Sequence, residues 1–145
     1  MFLLIDMSEK DQIHLALFDK EKKVEKNYSG RNRELLLCID NLLQEKKYQK
    51  EDISGIMVVV GVGSFTSTRI ACVVANTFAF VLQVPLLAIK VEDIISVQFL
   101  ITKLLEQPKG QYISATYSGE PNIGGVGSSR AKRVRNERVK SRDLS

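Results

Sequence analysis

Gly61 and Gly63, followed by Ser64 and Thr66, make the stretch of this 145-residue chain with the most evident chemical potential. A glycine turn between a strand and a helix can present backbone N–H groups and the positive end of the helix dipole to a phosphate. The Walker pattern needs a lysine after its last glycine, and the dinucleotide fingerprint needs a small residue where Thr66 stands; neither condition is met. Two readings stay open: a tight structural turn, or an anion and nucleotide loop built from Asp6, Gly61, Gly63, Ser64, Phe65, Thr66 and Arg69. Asp6 closes an apolar run, where an acid can hold a metal-bound water beneath a nucleotide. Arg69 falls in the first turn of the expected helix, where the dipole disfavours a cation, so it calls for a carboxylate such as Asp6.

No nucleophile can be matched with a base. Ser8, Ser64 and Thr66 lack an elbow motif, and His14, the only histidine, has no partner that spacing reveals. One histidine cannot form a two-histidine metal motif. The expectation is therefore no catalytic residue, no metal site and no cofactor beyond a residual nucleotide contact. Cys38 and Cys72 each fall inside an expected helix and read as reduced, buried thiols.

The elements that must position these residues follow from periodicity. Phe2–Asp6 is a short continuous apolar run, Ile13–Phe18 alternates, and Lys23–Tyr28 is polar and edge-like, which predicts two or three antiparallel strands. Arg31–Lys46 is helical, with Cys38, Leu42, Leu35, Ile39, Leu43 and Leu36 over an arc of about 160°, where roughly 100° suffices to cover a sheet. Leu37 lies beyond that arc. Gly55–Val60 reads as a central parallel strand. The next helix, roughly Ser67–Gln83 with Ser64 or Thr66 as its cap, is apolar almost all round and carries the small strip Ala71, Ala75, Ala79. So small a chain has few second layers to bury such a helix, which predicts an obligate partner. Pro85 stops it, Leu86–Ile89 forms a short strand, and Val91–Glu106 a third helix.

With 44% apolar and 26% charged residues, the composition fits one cored domain. Its expected limits are 1–108, followed by an extended segment at 109–127 and a basic, disordered tail at 128–145. That tail holds seven basic residues against two acidic ones, whereas the rest of the chain is near neutral. Within it Arg130, Lys132, Arg133, Arg135, Arg138 and Lys140 are candidates for salt-sensitive RNA contact, without interleaved aromatics for base stacking. No apolar run reaches the 17 to 25 residues needed to span a bilayer, and Met1–Asp6 is no signal peptide, so a cytoplasmic protein without membrane contact is expected.

Four stretches together resemble a known family: Leu4-Ile5-Asp6-Met7-Ser8, the helix from Arg33-Glu34-Leu35-Leu36 to Asp40-Asn41-Leu42-Leu43, the segment Gly61-Val62-Gly63-Ser64-Phe65-Thr66-Ser67-Thr68-Arg69-Ile70-Ala71, and Pro85-Leu86-Leu87-Ala88-Ile89. They look like the N-terminal domain of the TsaB family, also called YeaZ and glycoprotease-like, within the actin-like ATPase superfamily. The match covers about residues 1–100. Val62, Ser67, Thr68 and Ala71 depart from the family's usual Pro, Gly, Leu and Gly, and Met7 from a common Thr.

The resemblance implies an α/β, ribonuclease H-like domain: a mixed sheet with an antiparallel N-terminal hairpin and flanking helices, in a shortened form without the second domain. It implies a non-catalytic partner that binds a TsaD-like catalytic subunit and works with a TsaE-like ATPase in making N6-threonylcarbamoyladenosine at position 37 of tRNA, and that homodimerises when alone. The family's partner surface uses the first two helices, which maps here to Leu35, Leu36, Ile39, Leu43, Ile70, Val73, Val74 and Thr77. An RNA-binding accessory acting through the tail, or a glycoprotease-like or ATPase relative, is the alternative.

Overall fold

In the computed structural model, residues 1–30 and 34–109 are described. The start of the first expected helix at 31–33, the segment at 110–127 and the basic tail with its candidate RNA contacts lie outside them.

Strand β1, Phe2–Asp6, is buried along its whole length because both of its faces are covered. It pairs antiparallel with β2, Gln12–Phe18, and parallel with β4, Gly55–Val59. The hairpin continues antiparallel to β3, Lys23–Ser29, and β5, Leu86–Ile89, pairs parallel with β4, giving the order β3-β2-β1-β4-β5. This is the mixed sheet with an antiparallel hairpin that the sequence leads one to expect.

Helices α1, Leu35–Glu45, and α2, Phe65–Leu82, cover one face. The odd-numbered residues of β1 and β2, such as Leu3, Ile5, Ile13 and Leu15, meet Leu35, Ile39, Leu42 and the fully buried strip Ala71, Ala75, Ala79 there. Alanines let the α2 backbone come close to the sheet, so its bulkier residues must face away. Ser64 caps α2 by accepting from the Ser67 N–H, and Gln83 ends it in the left-handed region.

The other face carries Phe2, Leu4, Ala16, Phe18 and Met57 against Val97, Ile101 and Leu104. Here the expected third helix is corrected. Val91–Leu100 is a 3-10 segment with non-helical geometry at Ser96, and only Ile101–Leu105, α3, is α-helical. Asp93 turns back to accept from the Lys90 N–H, and the Ser96 hydroxyl bonds the Asp93 carbonyl, so local side-chain bonds compete with the α-helical ladder. The strand thus crosses the sheet diagonally, and Gln98 Nε2 donates to the Asp19 and Lys22 carbonyls of the β2–β3 turn.

Candidate functional site

Antiparallel register sets Asp6, His14 and Asn27 side by side across β1, β2 and β3. His14 Nδ1 lies 3.2 Å from Asp6 Oδ2, and its Nε2 lies 2.8 Å from Oε1 of Glu25, which stands diagonally across on β3. Ser8 donates its backbone N–H to Asp6 Oδ1 at 3.0 Å. Lys23 Nζ joins Glu25 at 3.5 Å and the Ile94 carbonyl at 3.2 Å. His14 has partners after all, and sequence spacing concealed them because register, not separation along the chain, brings them together.

The charges follow from these contacts. The Asp6 hydrogen bond, with help from Glu25, raises the His14 pKa above its ordinary value against the opposing effect of burial. Burial alone would raise Asp6, but hydrogen bonds from His14 and Ser8 outweigh it and hold the carboxyl below its usual range. Glu25 is likewise lowered, its His14 bond and the Lys23 charge overcoming burial. An imidazolium between two carboxylates is a brace, with both ring nitrogens engaged. A cavity of about 380 Å³ opens beside it, lined by Asp6, Ser8, Glu9, Gln12, His14, Asn27, Val91 and Ile94.

The glycine loop folds next to this corner. Gly61 and Gly63 both have positive φ, 88° and 95°. Gly63 comes so close to the β1–β2 turn that an added Cβ would sit 3.0 Å from Ser8 Cα, whereas Gly61 borders open space. The cleft between the loop and that turn is lined by Met7, Ser8, Glu9, Lys10, Asp11, Gly63, Ser64 and Ser67. Ser64 is committed to its cap, and Glu9 and Asp11 set negative charge opposite the α2 N-terminus. Asp6 meets His14, its neighbour in register, while Thr66 and Arg69 are exposed on the first turns of α2. The loop is thus a close structural turn, and the seven residues named for an anion site are not gathered around one cavity.

A different site lies on the helical face. Leu36, Val73, Phe80 and Val81 are 58%, 56%, 67% and 69% exposed. Leu36, Val73, Val74, Thr77, Phe78, Val81 and Leu82 line a groove of about 370 Å³ between α1 and α2, with Lys50 and Glu51 at its rim. Of the residues expected at a partner surface, Leu35, Ile39 and Leu43 are buried in the sheet core, because the α1 arc faces inward more fully than its breadth suggests. Leu36, Val73, Val74 and Thr77 line the groove, and Ile70 packs half-buried at the core's margin. Phe78, Phe80, Val81 and Leu82 were not singled out from sequence, although a wheel drawn opposite the alanine strip of α2 points to Phe80.

Residues 25–118 match the family model described as TsaD: tRNA N6-adenosine threonylcarbamoyltransferase. The chain belongs to the TsaD family. No curated protein matches it. Among solved structures it is similar to YeaZ from Pseudomonas aeruginosa, at 26% identity over 70% of this chain and 49% of that one, with a TM-score of 0.59. It is also similar to an uncharacterized protein with similarity to peptidase YEAZ from Pseudomonas aeruginosa, at 28% identity over 61% of this chain and 42% of that one, with a TM-score of 0.56. Within the TsaD family this chain is of the YeaZ, or TsaB, type, with the actin-like ATPase, ribonuclease H-like fold. It spans less than half the length of either solved relative. Among the described residues, no helix is long and apolar enough to cross a membrane.

Proposed function

We propose that this TsaB-type chain is a non-catalytic partner in forming N6-threonylcarbamoyladenosine on tRNA, seating a TsaD-type catalytic subunit on the α1/α2 groove and acting alongside a TsaE-type ATPase. The observation that carries this reading is the groove itself. Four large apolar side chains stand more than half exposed on adjoining helices of a small domain, and burying each contributes about 1.5–3 kcal/mol. Such a patch marks an interaction surface.

The polar corner supports a non-catalytic role. His14 has both nitrogens bound to carboxylates, so it is poorly placed to deprotonate a serine, as a peptidase reading would require. Asp6 is occupied by His14 and Ser8.

The test is threonylcarbamoyl transfer to tRNA in a mixture of a TsaD-type subunit, a TsaE-type ATPase and an activated threonylcarbamoyl donor, with and without the full chain. Transfer should depend on the chain and be lost with Leu36→Glu. Equal transfer without it would contradict the proposal.

A further inference from the structure

Lys109, the last described residue, forms an antiparallel bridge with Pro85, just after the C-terminal end of α2. Continuing in that sense, the chain runs back past Val84 and Gln83 toward the last turn of α2, which carries exposed Phe80 and Val81. Val81 and Leu82 form the near end of the apolar groove, and Val73 its far end, about 13 Å along the helix. Three extended residues beyond Lys109 cover about 10 Å and bring residue 112 to the near end; the six residues of 112–117 then span about 17 Å, enough to line the groove.

The sequence there fits such a path. In Tyr112-Ile113-Ser114-Ala115-Thr116-Tyr117, the apolar Ile113, Ala115 and Tyr117 alternate with Ser114 and Thr116, so an extended segment turns those three to one side. The groove's lining is mostly apolar, which suits Ile113 and Tyr117 and gives the charged residues of 128–145 nothing to pair with beyond Glu51 at the rim.

We propose that residues 112–117 lie extended in the α1/α2 groove as a built-in competitor for the surface that receives the partner. What they compete with rests on the function proposed above; the docking itself does not. A partner binding only the open groove has its apparent affinity reduced by the fraction of chains that are open.

Hydrogen exchange on the full chain tests this at dilute and at high concentration. Amides of 112–117 should exchange at least about tenfold more slowly than those of 128–145 at both concentrations, and Val73→Glu should remove that protection while β1 and β4 stay protected. Three results would overturn the proposal: equal exchange of the two segments, protection that Val73→Glu leaves intact, or protection seen only at high concentration, which would assign the groove to a second copy. In a separate arm, Ile113→Ser with Tyr117→Ser should tighten binding of a TsaD-type subunit about three- to tenfold; unchanged or weaker binding would contradict the competition. Groove-dependent protection with no subunit binding in either form would uphold the docking and reject the partner reading.

Discussion

Two cavities of nearly equal volume, about 380 Å³ beside His14 and about 370 Å³ between α1 and α2, lie on opposite sides of one sheet and differ in what their walls still need. The first is polar, and its central groups already bind one another: His14 to Asp6 and Glu25, Asp6 to Ser8, Glu25 to Lys23. The second is apolar, and its side chains gain little until something covers them. Satisfied polar groups stabilise the fold, whereas exposed apolar groups recruit a partner. Substitutions at the polar corner should therefore change stability and spare association, and substitutions at the groove should do the reverse.

The largest effect on that contrast is expected at Gly63. Its φ of 95° and its approach to Ser8 leave no room for a branched side chain, so Gly63→Val should cost about 3 kcal/mol in urea unfolding. Gly61→Ala has the strained φ without the clash and should cost about 1 kcal/mol. Equal costs would show that the contact with Ser8 is not what closes this corner.

His14→Gln should lower stability by about 1–2 kcal/mol, the range for a charge-assisted hydrogen bond, and leave groove-dependent binding unchanged. A loss of binding would erase the division between the two sites.

pH sharpens the same point. Because the folded His14 pKa lies above its ordinary 6.5, the stability from its protonated form is complete below about that value and is lost as pH rises through the raised one. Asp6 is lowered from 3.8, so its contribution is present above about pH 4 and is lost as pH falls through the lowered value. Thermal unfolding scans should give the highest Tm between roughly pH 4 and 6.5, with a fall of a few degrees on the alkaline side. His14→Gln should abolish that alkaline fall; if the fall persists, the brace is not its source.

The smallest effect is at the thiols. Burial raises Cys38 and pushes Cys72 up to about 11, so neither should be alkylated in the native chain at pH 8, while both should react once it is unfolded. Labelling of Cys72 in the native state would show that α2 opens away from the sheet.

How legible all this was in the sequence varied by element. The strands were readable because continuous runs such as Phe2–Asp6 and Gly55–Val59 have no other way to be buried, and the α2 cap was readable from Ser64. Register was not readable, since the Asp6–His14 pairing depends on how the turn at 7–11 closes, with Asp11 at a φ of 56°. The break at Ser96 was hidden because Val91–Glu106 keeps helical apolar spacing while local Asp93 bonds dictate a tighter turn. At the groove, periodicity marked α2 as too apolar but could not tell which α1 residues the sheet would claim; Leu35, Ile39 and Leu43 went to the core, leaving Leu36 outside.

The central claim is that the α1/α2 groove is the partner surface, and a binding titration of the full chain against a TsaD-type subunit, in wild-type, Leu36→Glu and Val73→Glu forms, tests it most directly. The account predicts a complex with the wild type, at least about a hundredfold weaker binding for each variant, since burying an unpaired charge at an apolar contact costs several kcal/mol, and Tm values within a few degrees of wild type. Variants that bind as tightly as the wild type would contradict it.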